Sequence, residues 1–186
     1  MRVFAFAAAL RRDSFNRKLI RLAAQAAERA GATVDHADFR EFDMPLYDGD
    51  VEAASGLPAG AHKLRERFLG ADAFMIATPE YNYSIPGTLK SAIDWVSRQP
   101  PAAWRHKPGM LLTASTSLVG GNRGAWAVRV PLEGTGAILH PDMFSLAAAH
   151  EAFDESGAFK DAKMAARLDK VVGGFVAFAG TLSKHA

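Results

Sequence analysis

A doubly wound α/β domain is the fold class this sequence predicts, and three observations predict it. Short apolar runs recur at residues 3–7, 74–77 and 110–114, and segments with helical apolar spacing lie between them. An apolar run of that length reads as a strand buried on both faces. Strands and helical patterns alternate five times over, which implies right-handed crossovers and a parallel sheet covered by helices on both faces. The 186 residues, 49% of them hydrophobic, suffice for a sizeable core, so residues 1–186 are expected to form a single domain.

Residues 3–7 make the first strand. The polar cluster Arg11-Arg12-Asp13-Ser14-Phe15-Asn16 leads into a helix with Leu19, Ala23, Ala26 and Ala30 on one face, which Ser14 or Asn16 can cap and Gly31 closes. Thr33 to Asp38 alternates as a short second strand. Residues 43–55 carry Pro45, Gly49 and four acidic groups with few core candidates, and read as a surface loop. Leu57, Ala61, Leu64 and Phe68 mark a second helix stopped by Gly70, and Phe74 to Ala77 is the third strand.

A third helix is predicted to follow Pro86-Gly87 and run to about Arg98, with a Pro100-Pro101 connector leading to a fourth strand at Met110 to Ala114. After the Gly-rich loop 115–124, Pro131 is expected to kink or shorten the helix over 125–132. Ala137-Ile138-Leu139, with Met143-Phe144, supplies the fifth strand. Leu168, Val171, Val172, Phe175 and Phe178 mark a last helix that Gly173-Gly174 weakens.

Composition excludes several function classes. Charges nearly cancel, with 22 Lys and Arg against 20 Asp and Glu and no basic cluster, so nucleic acid is not an expected partner. Zero cysteines leave no disulfide framework and no thiol relay, so redox chemistry would need a bound cofactor. Arg11-Arg12-Asp13 directly after the first apolar run argues against a signal peptide, and residues 171–183 are too short and Gly-rich to span a bilayer. A cytoplasmic chain without a membrane partner is the expectation. His36, His62, His106, His140, His150 and His185 are scattered, and His150-Glu151 lacks the second His of a zinc-protease motif, so no metal site is expected.

The polar loops all leave strand carboxyl ends, where doubly wound sheets bind ligands. The first lacks G-x-G-x-x-G and no P-loop is present. It offers Arg11, Ser14 and Asn16 beside a helix start, where free N–H groups and partial positive charge favour a phosphate; equally, Ser14 and Asn16 can serve only as caps. The second places Tyr81, Asn82 and Tyr83 between strand and helix, where a plain turn needs only small residues. Alone it is either a loop pinned by its own aromatics or a ligand site. No G-x-S-x-G elbow supplies a hydrolase nucleophile.

Taken in order, Leu10-Arg11-x-x-Ser14-Phe15-Asn16, then Thr78-Pro79-Glu80-Tyr81-Asn82-Tyr83-Ser84-Ile85-Pro86-Gly87 with Leu89-Lys90-x-Ala92-Ile93-Asp94-Trp95, then the Gly-rich third loop, resemble the NAD(P)H-dependent FMN reductases of flavodoxin-like fold, whose relatives reduce quinones, chromate and azo dyes. The resemblance extends to Pro45-Leu46-Tyr47-Asp48. It implies a five-stranded sheet of order 2-1-3-4-5. It also implies that Arg11, Ser14, Phe15 and Asn16 hold the FMN phosphate and ribityl end, that Pro79, Glu80, Tyr81 and Asn82 line the isoalloxazine, and that Ser115 touches it. NADPH or NADH would reduce the flavin, and the flavin a small acceptor, in a homodimer or homotetramer. No side chain is required as acid or base. Two residues depart from the family's pattern: Ala8 and Ala9 stand where relatives usually have Gly-Ser. A lost hydroxyl at a dry phosphate removes a bond of about 1.5–3 kcal/mol. An FMN electron carrier and an interaction module that has lost its cofactor are the alternatives; a carrier usually shows an acidic face, which this composition lacks.

Overall fold

The computed structural model describes residues 1–183; His185, among the histidines weighed above, lies outside the described residues. The elements in order are β1 (Arg2–Ala7), α1 (Phe15–Arg29), β2 (Thr33–Asp38), a 3-10 turn (Phe39–Phe42), α2 (Gly49–Ser55), α3 (Ala59–Leu69), β3 (Ala73–Ala77), α4 (Gly87–Ser97), β4 (Pro108–Ala114), α5 (Asn122–Gly134), β5 (Ile138–Leu139), β6 (Phe144–Leu146), α6 (Ala149–Ala152) and α7 (Ala162–Ser183). The sheet is parallel, in the order β2-β1-β3-β4-β5, the flavodoxin-like order.

The strands interleave two cores because successive side chains point to opposite faces. Phe4, Phe6, Phe74, Ile76 and Leu111 meet residues of α3, α4 and α5, including Leu64, Phe68, Trp95 and Val128. Val3, Ala5, Ala7, Met75 and Leu112 meet α1 and α7 through Leu19, Ala23, Val172 and Phe175. Alanines on the second face let α1 lie close to the sheet, which sets its N-terminus over the strand ends. Ala7 pairs in register with Asp38 and with Ala77, so three strands stop at one level, while β4 continues to Ala114.

Three local expectations need correction. Residues 43–55 are not all loop: they end in α2, capped by Asp48, whose carboxylate accepts from the Asp50 N–H at 2.8 Å. None of its residues is buried, so it leaves no apolar stripe to read. The fifth strand is split: β5 pairs with Pro108 and Gly109, and β6 resumes against Leu112 to Ala114, so six strand segments fill five positions. Pro131 neither shortens nor interrupts α5. The carbonyl it deprives of an i→i−4 donor belongs to half-buried Ala127, and Thr135 Oγ1 ties the next turn by donating to the Pro131 carbonyl at 2.6 Å. Gly173 and Gly174 sit inside an unbroken 22-residue α7, where burial of Leu168, Val172, Phe175 and Ala179 outweighs a propensity cost of about 1 kcal/mol per glycine.

Candidate functional site

The first loop runs from the end of β1 to α1. Ser14 is the cap: its Oγ accepts from the Asn16 N–H at 3.2 Å, with extended backbone at φ −71° and ψ 132°. Asn16 does something the sequence did not disclose. Its Nδ2 donates to the Ala114 carbonyl and its Oδ1 accepts from the Ala114 N–H, both at 2.9 Å, so one buried amide joins the start of α1 to the end of β4. Arg40 bolts the loop from the other side by donating Nε (2.9 Å) and Nη2 to the Leu10 carbonyl. The N–H groups of Leu10, Arg11, Arg12 and Asp13 donate to no acceptor among the described residues. Together with the Ser14 hydroxyl and the Arg11 guanidinium, which lies 5.5 Å over the Phe15 ring, they form a cradle of donors whose chemistry suits an anion.

Ala8 and Ala9 are buried and line no part of this cradle; the Ala8 N–H donates to the Ala77 carbonyl at 2.9 Å. The side chain at position 9 belongs to the core facing α1 and α7.

The second loop begins at buried Pro79 and forms a tight hairpin, with Tyr81 and Ser84 exchanging both backbone bonds at 3.1 and 3.0 Å. Asn82 and Tyr83 take positive φ, +50° and +66°, as a two-residue hairpin turn of the primed type requires. Asparagine adopts that backbone readily; tyrosine does not. Tyr83 is held by the Arg123 guanidinium, 4.5 Å from its ring centroid. Glu80 anchors the base of the hairpin to α5, accepting from the Gly124 N–H at 3.1 Å with Arg123 at 3.6 Å. A side chain at Gly124 would put Cβ 3.0 Å from the Glu80 Cα and Cβ, so glycine is what lets α5 approach.

The third loop closes the site. Ser115 Oγ accepts from the Ser117 N–H at 3.2 Å, and Gly120 and Gly121, at φ +61° and +83°, turn the chain into α5. A Cβ on Gly121 would lie 2.2 Å from Thr113 Oγ1.

These loops enclose a cleft of about 330 Å³ at the carboxyl edge of the sheet. Eight of the nine residues singled out from sequence line it: Arg11, Ser14, Phe15, Asn16, Pro79, Glu80, Tyr81 and Ser115. Asn82 does not; it sits in the exposed hairpin turn. Ala114 and Thr116 complete the wall. Thr116 carried a signal, since it adjoins Ser115 in the polar loop, but Ala114 and Arg40 carried none because their partners lie far along the chain. A larger cavity of about 410 Å³ is lined by Leu10, Phe39, Phe42 and Met44 and contains none of the nine residues singled out from sequence. Among the described residues no group of three or more His, Asp or Glu could hold a metal ion, and no helix is long and apolar enough to cross a membrane.

Comparison with known proteins identifies the family. Residues 1–151 match the family described as NADPH-dependent FMN reductase. The quinone reductase of Escherichia coli K12 is 47% identical over 87 residues, which are 47% of this chain and 46% of that protein, so the chain spans about half the length of that relative in the match. The NAD(P)H-dependent FMN reductase of Pseudomonas aeruginosa is 35% identical over 166 residues, covering 88% of this chain and 86% of the relative. Among solved structures, the flavoenzyme NAD(P)H:(acceptor) oxidoreductase of Paracoccus denitrificans superposes with TM-score 0.83 at 28% identity, covering 97% of each chain. The chain therefore belongs to the NADPH-dependent FMN reductase family.

Proposed function

We propose that this chain binds FMN in the carboxyl-edge cleft and uses it to pass electrons from NADPH or NADH to a small acceptor such as a quinone, free flavin, chromate or an azo compound. One observation carries the reading: three loops far apart in sequence bring eight residues of the family's motifs into one cleft. The donor set fits the cofactor. Unpaired amides at 10–13, the Ser14 hydroxyl and Arg11 suit a phosphate, and the apolar wall of Pro79 and Tyr81 suits a planar ring. A cleft of about 330 Å³ is within the size range of small-ligand sites.

Bound flavin supplies the hydride chemistry, accepting from a nicotinamide and donating to the acceptor. The chain's own residues position and screen. Asn16 uses its amide to fix the cradle rather than to bind, so its contribution is indirect. Glu80 likewise holds the hairpin, and the ring contacts fall to backbone groups of residues 79–81. The single domain is expected to work as a homodimer or homotetramer in the cytoplasm. Exposed Tyr83, Leu118, Trp126 and Val130, grouped on α5 and the loops beside it, supply an apolar face for a second copy.

The test is the absorbance spectrum of purified protein under anaerobic conditions. The expected result is a flavin spectrum, as isolated or after adding FMN, that bleaches on addition of NADPH or NADH. A colourless protein whose melting temperature FMN does not raise overturns the proposal; a yellow one that no nicotinamide bleaches leaves a carrier.

A further inference from the structure

Residues 152–160 follow the family-matched stretch and form a small hairpin. Phe153 pairs with Phe159, the Lys160 N–H donates to the Ala152 carbonyl at 3.0 Å, and the Asp154 N–H to the Ala158 carbonyl at 2.9 Å. The Asp154 carboxylate locks the tip, accepting from the Ser156 hydroxyl at 2.6 Å and the Ala158 N–H at 3.0 Å. Those bonds, the Ser156 hydroxyl foremost, hold its carboxyl below the ordinary carboxylate range.

The hairpin delivers an aromatic stack to the cleft. Phe159 and Phe153 stack with centroids 5.2 Å apart and planes 19° apart, and Phe153 and Phe15 at 6.2 Å and 3°. Arg11 lies 5.5 Å over Phe15, and Lys18 5.6 Å over Phe153. Phe153 is buried, so the stack is a fixed support for a guanidinium on an otherwise exposed loop. Arg11 and Phe15 line the cleft; Phe153 does not.

The geometry points to Phe153 as a positioning residue: through Phe15 it holds Arg11 at the phosphate cradle, and so sets the preference of this chain for a flavin bearing a 5′-phosphate over riboflavin. The inference rests on the FMN reading above. Free, Arg11 would sample many rotamers and lose part of its charge-assisted bond to an anion on ordering. Laid over Phe15, it is pre-ordered.

Quenching of flavin fluorescence gives Kd for FMN and for riboflavin in the wild-type chain and in R11Q, F153L and F15L. R11Q is expected to weaken FMN about tenfold and to leave riboflavin within about twofold. F153L and F15L are expected to weaken FMN about three- to fivefold with riboflavin again unchanged. R11Q/F153L should bind FMN no worse than R11Q alone, because both act through one contact. If F153L does not fold, F15L, which leaves the hairpin intact, decides the matter. Equal weakening of both flavins by F153L and F15L, the mark of a merely structural role, overturns the inference. So does an unchanged FMN-to-riboflavin ratio in both while R11Q lowers it. A wild-type chain that binds neither flavin overturns the FMN reading itself, and the inference with it.

Discussion

The two ends of the cleft are built on opposite principles. At the first-loop end, side chains reach far along the sequence to fix backbone: Asn16 to Ala114, 98 residues away, and Arg40 to Leu10, 30 away. Those bonds consume polar groups that sequence reasoning would assign to a ligand, and they leave the loop's own amides free to bind one. At the hairpin end the backbone bends itself through two positive φ angles, and the turn residues are exposed, Tyr83 by 71%. One carboxylate and one arginine hold it to α5. The first end is part of the fold and the second is an attachment to it, so damage at the first should appear as lost stability and damage at the second as lost binding.

The sharpest way to break this contrast is Asn16→Ala. Removing the amide takes away the partner of both the N–H and the carbonyl of buried Ala114. Two unsatisfied backbone groups cost about 2–5 kcal/mol together. Urea denaturation of the apoprotein should show a loss of that size, before any flavin is added. An apoprotein as stable as wild type would mean that Asn16 is a ligand residue and not a joint.

Much of this architecture was legible because burial leaves a pattern. Apolar runs marked β1, β3 and β4, Gly31 and Gly70 marked helix ends, and the three polar loops marked the strand ends that form the cleft. What stayed hidden depends on partners distant in sequence or on surfaces with no buried face. The type of Asn16 suggested a cap, and only the fold shows Ser14 capping while Asn16 crosses to β4. No residue of α2 is buried, so it had no stripe to display. Pro131 looked like a break, but α5 runs through it to Gly134. Phe153 lies 138 residues along the chain from Phe15, and its stacking on that ring is visible only in the structure.

Gly124→Ala should sharpen the contrast from the other side. Its Cβ would sit 3.0 Å from Glu80 Cα and Cβ and 3.2 Å from the Pro79 carbonyl oxygen, so α5 or the hairpin base must shift. Overpacking of this kind costs about 1–3 kcal/mol, and an exposed loop can relieve it by moving outward. Apoprotein stability should therefore fall less than in N16A, toward the lower end of that range, while flavin affinity falls as the Glu80 anchor is lost. Equal losses of stability in the two variants would show that the hairpin is as integral to the fold as the first loop.

The smallest effect expected is a pH dependence at the flank of the first-loop end. Arg17 of α1 pairs with Asp38 of β2 at 2.6 Å, and His36 lies beside them. Burial first, then the charges of Arg21 and Arg17, hold the His36 imidazole below its ordinary value of 6.5, against the opposing pull of Asp38 and Glu41. The unfolded chain thus binds a proton at a pH where the folded chain does not. Stability from this group is fully present above about pH 6.5 and is lost as pH falls from there toward the lowered folded value. His36→Gln removes the titration, so the difference in melting temperature between wild type and H36Q should shift in favour of H36Q as pH falls from 7.5 to 5.5. A difference that stays constant across that interval would mean that the proton costs the same in both states, and that the clamp between α1 and β2 is indifferent to it.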